Sequence, residues 1–177
     1  MKKILAFGAS NSKNSINKKL AQFAANQLSN VEINFVDLND FELPLFGVDL
    51  ENEIGIPELA KQFSQLIEVS DGIVVSLAEH NSNWTVAFKN LTDWISRLEG
   101  KVWKGKNIFL LSTSPGGRGG ASAMNIAMNT MPYSGANIIA NFSLPKYNEN
   151  FSIENGILDA ALKSTFEEQL SKFQNSL

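Results

Sequence analysis

Cysteine is missing from this 177-residue chain, and histidine occurs once. Without thiols there is no disulfide, no thiolate zinc centre and no cysteine nucleophile, and the composition suits a reducing compartment. Charge is sparse too: 19% of residues are charged, and the net charge is −3 with no block of one sign. Nucleic-acid binders normally present a basic face, so that class is disfavoured. No run approaches the 18 apolar residues of a membrane-spanning helix, and the apolar start, Ile4 to Phe7, is too short for a signal peptide. A cytoplasmic protein with no membrane partner is expected. The P-loop string, the G-x-G-x-x-G of dinucleotide folds and the G-x-S-x-G of esterases are absent as well. Repeats, low-complexity tracts and linkers are lacking, so residues 1–177 are expected to form a single domain.

What the chain does have is alternation. Lys2 to Phe7, Val31 to Asp37, Gly72 to Leu77, Asn107 to Thr113 and Asn137 to Phe142 read as strands. Between them, apolar residues recur at the helical period. Ile16, Leu20, Phe23, Ala24 and Leu28 mark a helix over 15–28, and Leu59, Ala60, Phe63, Leu66 and Ile67 mark another behind Pro57. Further helices carry Trp84 to Leu98, Met124 to Met131 and Leu158 to Phe173. Five strands alternating with five helices predict an α/β three-layer sandwich, a parallel sheet with helices on both faces. The first, third and fourth strands are almost wholly apolar, as doubly covered strands are, and the second and fifth are mixed, as edge strands are. That pattern predicts the order 2-1-3-4-5, the flavodoxin-like arrangement, with its switch point between strands 1 and 3.

Three loops converge at that switch point. Residues 8–17 hold Ser10, Ser12, Ser15 and Asn17 in front of a helix N-terminus, where free N–H groups and the dipole favour an anion. A terminal phosphate could be held there by neutral donors, with Lys13 nearby. The plain alternative is a polar turn with Asn14 or Ser15 as helix cap. No magnesium-binding carboxylate accompanies this loop, so nucleotide hydrolysis is not expected. Residues 78–84 (AEHNSNW) bring Glu79, the lone His80, Asn81, Ser82 and Trp84, with His80 expected to line a pocket. Residues 113–120 include SPGGRGG, whose bare backbone lets a flat ring approach its N–H groups, with Arg118 at the centre. Its alternative is a flexible connection with a solvated arginine.

A phosphate at one loop and a planar ring between two others describes a mononucleotide such as FMN. The strings GASNSKNSINKKLA (8–21), LPLF (43–46), AEHNSNWTVAFKNLTDWISR (78–97) and GKNIFLLSTSPGGRGGA (105–121) resemble, in order, the signature segments of the NADPH-dependent FMN reductase family. The resemblance covers about residues 1 to 145, and its members include quinone, azo-dye and chromate reductases. It implies a flavodoxin-like fold, bound FMN, NADPH or NADH as co-substrate, a small-molecule electron acceptor and a homodimer or homotetramer. By position it implies Ser10, Ser12, Ser15, Ile16 and Asn17 around the phosphate. Glu79, His80, Asn81 and Ser82 would lie over the isoalloxazine, and Ser114, Gly116, Gly117 and Arg118 at its pyrimidine side. No catalytic side chain and no metal are expected, because the flavin carries the chemistry. The chain departs from the common P-E-Y-N-G-S in its second loop, with Ala78, His80 and Asn83 around Glu79 and Asn81. It also carries Ser12 and Lys13 where an arginine is common. A flavin-binding electron carrier without nicotinamide turnover, or a flavin-free interaction protein on the same scaffold, are the alternatives.

Overall fold

A computed structural model describes residues 1–98 and 100–177. Its elements are β1 (Lys2–Ala9), α1 (Ile16–Asn26), β2 (Val31–Val36), α2 (Val48–Ile54), α3 (Glu58–Val69), β3 (Gly72–Leu77), β4 (Glu79–His80), β5 (Asn83–Trp84), α4 (Val86–Ile95), β6 (Asn107–Thr113), α5 (Ala121–Thr130), β7 (Asn137–Leu144), α6 (Tyr147–Asn150), β8 (Phe151–Ser152), β9 (Gly156–Ile157) and α7 (Ala160–Gln174). Five strands form one parallel sheet in the order β2-β1-β3-β6-β7. This is the expected 2-1-3-4-5 arrangement, with the two mixed strands at the edges.

Side-chain alternation along each strand splits the core in two. Leu5, Phe7, Ile73, Val75, Leu77, Ile108 and Leu110 meet α3, α4 and α5 on one face. Ile4, Ala6, Val74, Phe109, Leu111, Ala140 and Phe142 meet α1 and α7 on the other. Both faces of β3 are therefore buried along its whole length, which is why its sequence shows no polar alternation.

Helix starts follow local chemistry. Ser15 caps α1 by accepting from the Lys18 N–H, Thr85 caps α4 through Phe88, and Asp159 caps α7 through Leu162. Where the sequence predicts Trp84 as the first turn of a helix, the residue instead ends the β4–β5 hairpin, and the helix stops at Ile95, short of Leu98. Two α-helices beyond the expected five appear among the described residues. One is the short α6. The other, α2, has no buried residue; Arg97 holds it, its Nε donating to both Glu51 carboxylate oxygens at 2.9 Å.

Two devices bring the loops to the sheet's carboxyl edge. Gly8, near the end of β1, lies so close under α1 that a Cβ there would stand 2.4 Å from the Lys18 nitrogen and 2.9 Å from the Asn17 carbonyl carbon. On the opposite face, the LPLF segment is pinned to α4. The Asn90 Oδ1 accepts from the Phe46 N–H at 2.8 Å, its Nδ2 donates to the Pro44 carbonyl at 3.0 Å, and the Trp94 Nε1 donates to that same carbonyl at 2.8 Å.

Candidate functional site

The turn between β1 and α1 is assembled from its own serines. The Ser12 N–H donates to the Ser10 Oγ at 3.1 Å, and the Ser15 N–H donates to the Ser12 carbonyl at 3.1 Å. Two of these hydroxyls, Ser10 and Ser15, already accept a backbone N–H, which leaves their O–H hydrogens free to donate elsewhere. The N–H groups of Ile16 and Asn17, in the first turn of α1, have no acceptor among the described residues. The turn therefore offers backbone N–H and hydroxyl donors that have no partner among the described residues. Of the two cap candidates, Ser15 serves.

Asn17 differs from its neighbours. It is 2% exposed, and its amide pairs with the Thr113 backbone: Oδ1 accepts from the Thr113 N–H at 3.0 Å and Nδ2 donates to the Thr113 carbonyl at 3.1 Å. The Ser76 hydroxyl donates to the same Oδ1 at 2.7 Å. This side chain ties α1 to β3 and β6.

In the second loop β4 and β5 form a hairpin whose two tip residues, Asn81 and Ser82, have φ of 50° and 62°. Positive φ at both central positions is the type I′ geometry. The sequence reading missed this hairpin because serine is an unusual second tip residue. The Glu79 side chain turns away from the tip, and its Oε2 accepts from the Ser122 and Ala123 N–H groups at 2.8 and 3.1 Å. It thereby caps α5, whose own cap position is Gly120, and the Trp84 Nε1 adds a bond to the Ala123 carbonyl at 3.0 Å. The second loop is thus clamped to the helix that follows the third.

The third loop holds two kinds of glycine. Gly119 has φ +57°, and its carbonyl accepts from the Ser112 and Ser143 hydroxyls at 2.8 and 2.7 Å. Gly116 and Gly117 are exposed, and a Cβ on Gly117 would meet nothing within 4 Å. The Lys146 N–H donates to the Gly116 carbonyl at 2.9 Å, and the Tyr147 N–H to the Ser114 carbonyl at 3.0 Å. Arg118 is exposed, and its guanidinium donates to the Ser122 Oγ at 2.8 Å.

These loops enclose a cleft of about 260 Å³ lined by Ser10, Ser12, Ser15, Ile16, Asn17, Glu79, His80 and Ser114, all residues singled out from the sequence. Asn14, Ala78, Thr113 and Pro115 complete it; all four lie within the three loops expected to converge there, although nothing in the sequence marks them individually as site residues. Asn81, Ser82, Gly116, Gly117 and Arg118 stand outside this lining. A second cleft of about 530 Å³ shares His80 with the first. Leu38, Phe41, Leu43, Leu45, Val86 and Ala87 form its walls, with Asn11, Asn39 and Glu42 among its polar residues. A cavity of about 570 Å³ between α1, the β8–β9 hairpin and α7 holds none of the expected site residues.

Electrostatics near the first loop centre on Asp37 at the end of β2. Burial opposes its ionisation, but hydrogen bonds from Lys18 and Asn39 outweigh that and hold its carboxyl below the ordinary range. Lys18 is therefore paired within the protein and does not line the cleft, and the donors that the first loop turns to it are hydroxyls and backbone N–H groups.

The sequence model described as NADPH-dependent FMN reductase matches residues 2–149. A 2-hydroxy-1,4-benzoquinone reductase from a Burkholderia species is 36% identical over 115 residues, 64% of this chain and 61% of that protein. A quinone reductase from Pseudomonas putida is 34% identical over 124 residues, 68% of this chain and 64% of that protein. Each match thus spans less than two thirds of the relative's length. Among solved structures, a flavoenzyme NAD(P)H:(acceptor) oxidoreductase from Paracoccus denitrificans superposes with a TM-score of 0.76 at 25% identity, covering 99% of this chain and 96% of that one.

Proposed function

The chain belongs to the NADPH-dependent FMN reductase family, and on that premise we propose that it holds FMN in the three-loop cleft and passes electrons from NADPH or NADH to a quinone-type small acceptor. The observation that carries this reading is the donor set of the first loop. N–H groups of Ile16 and Asn17 without a partner among the described residues, with Ser10 and Ser15 hydroxyls whose oxygens already accept, suit an oxyanion such as a phosphate monoester. Bound there, FMN would supply hydride acceptance and electron release. The protein's own part is placement. Glu79 and Trp84 fix the hairpin against α5, so that the walls on either side of a ring keep their spacing. The exposed N–H groups of Gly116 and Gly117, with Arg118, would meet the pyrimidine edge and steady negative charge gathering there. The second cleft, apolar-walled with a polar rim and joined to the first at His80, suits a flat acceptor bearing oxygens. The benzoquinone named for the Burkholderia relative supports that class.

Heating the purified protein and recording the spectrum of the released ligand, then following NADPH oxidation with a benzoquinone, tests the reading. FMN release and quinone-dependent oxidation are expected. A colourless protein that takes up no added FMN would overturn it, and a yellow protein without turnover would make it an electron carrier instead.

A homodimer or homotetramer is part of the proposal. Leu45 and Val86, 72% and 69% exposed, stand at the second cleft, and Val48 and Ile54 on α2 are also exposed, an apolar surface that a second copy would cover. Sedimentation of the wild-type protein should show an oligomer; a monomer at micromolar concentration would refute this part.

A further inference from the structure

Ser76 is the one side-chain hydroxyl in β3, a strand buried on both faces, and it is 0% exposed. A hydroxyl placed there costs stability unless it is bonded, and its partner is the Asn17 Oδ1 at 2.7 Å. In the sheet Ser76 lies beside Gly8, the residue whose bare backbone lets α1 settle onto β1. Close approach at Gly8 sets the height of the helix start. The Ser76 hydroxyl and the Thr113 backbone, both acting on one amide, set its rotation and lateral position. The N–H groups of Ile16 and Asn17 belong to the turn held in this way. Ser76 itself does not line the cleft.

We propose that Ser76 is a positioning residue for the anion end of the cleft: through Asn17 it aims the first-turn donors, and it thereby sets the preference for a phosphorylated flavin over the same flavin without phosphate. The proposal rests on the FMN reading given above. With the hydroxyl removed, the Asn17 oxygen keeps only the Thr113 N–H, and the amide gains freedom to tilt. The second loop is clamped separately through Glu79 and the glycines of the third through Gly119, and Thr113, where the third loop meets Asn17, has a further anchor in its hydroxyl's bond to the Leu144 carbonyl, so the disturbance falls mainly on the start of α1.

The test compares wild type and Ser76→Ala, each stripped of ligand and titrated with FMN and with riboflavin by flavin fluorescence. FMN affinity is expected to fall about tenfold and riboflavin affinity to stay within twofold. Equal losses for both flavins would mean general loosening and would overturn the proposal, as would an unchanged FMN-to-riboflavin ratio. Should Ser76→Ala not fold, Ser76→Cys, with a weaker donor of similar size, should lower the same ratio by a smaller factor, and an unchanged ratio there is equally decisive against it. A wild-type chain that binds riboflavin and FMN equally defeats the phosphate assignment, whereas one that binds neither defeats the flavin reading itself.

Discussion

Gly8→Ala is expected to lower the melting temperature by about 6–12 °C and to abolish flavin retention. The added Cβ would stand 2.4 Å from the Lys18 nitrogen, 2.6 Å from the Lys18 Cα and 2.9 Å from the Asn17 carbonyl carbon. All three are backbone atoms, so no side chain can swing aside. The start of α1 must rise by about an ångström, and overpacking of this kind costs about 3 kcal/mol. In a chain of this size each kcal/mol corresponds to roughly 2–4 °C. The rise also strains the three hydrogen bonds of the Asn17 amide and withdraws the donors of Ile16 and Asn17 from the cleft. Calorimetry and the absorbance of the purified protein check both parts. A variant that melts with wild type and stays yellow would show that the helix tolerates the methyl group.

Gly119→Ala comes next in size. Alanine at φ +57° sits in the left-handed region, at a cost of about 1–2 kcal/mol. Its Cβ would lie 2.9 Å from the Leu144 carbonyl and the Pro145 nitrogen, again backbone. Neither penalty can be relieved by moving the loop, because the Gly119 carbonyl is held by Ser112 and Ser143 together. A loss of about 3 kcal/mol is expected, read as the shift of the denaturation midpoint in urea. Gly117→Ala is the internal control. Nothing lies within 4 Å of its added carbon and its φ is ordinary, so its midpoint should move by less than about 0.5 kcal/mol. Two glycines two positions apart in one string should thus behave oppositely. Equal midpoints would contradict the geometry.

The sheet was legible in the sequence because burial writes itself into composition. Strands covered on both faces cannot carry polar alternation, so β1, β3 and β6 declared themselves central and β2 and β7 marginal. Helix α2 was illegible for the opposite reason: it has no fully buried residue, only the half-buried Leu50 packs on the core, and the Arg97–Glu51 pair that anchors it joins residues 46 positions apart. The candidate cleft was readable as a set of loops but not as a set of roles. Asn17 and Ser15 look alike as polar residues at a helix start. Yet the Ser15 hydroxyl hydrogen is free, whereas the Asn17 amide is occupied by Thr113 and Ser76. Glu79 reads as a residue facing a ligand, while its carboxylate serves the N-terminus of α5. The four glycines of the third loop are equivalent as letters, and the positive φ of Gly119 and Gly120 together with the nearness of Leu144 and Ser112 separates them from Gly116 and Gly117. In each case the deciding partner lies on another strand or helix, beyond the reach of any local pattern.

The amide of Asn17 joins partners 59 and 96 positions further along. A polypeptide emerging from the ribosome therefore carries the serine turn long before it carries the groups that hold that turn in place. Until Thr113 has been synthesised and β6 has docked beside β3, the turn is only a loose polar segment. Ordering of the turn thus has to wait for β6, and a nascent chain interrupted before β6 lacks the groups that hold the Asn17 amide.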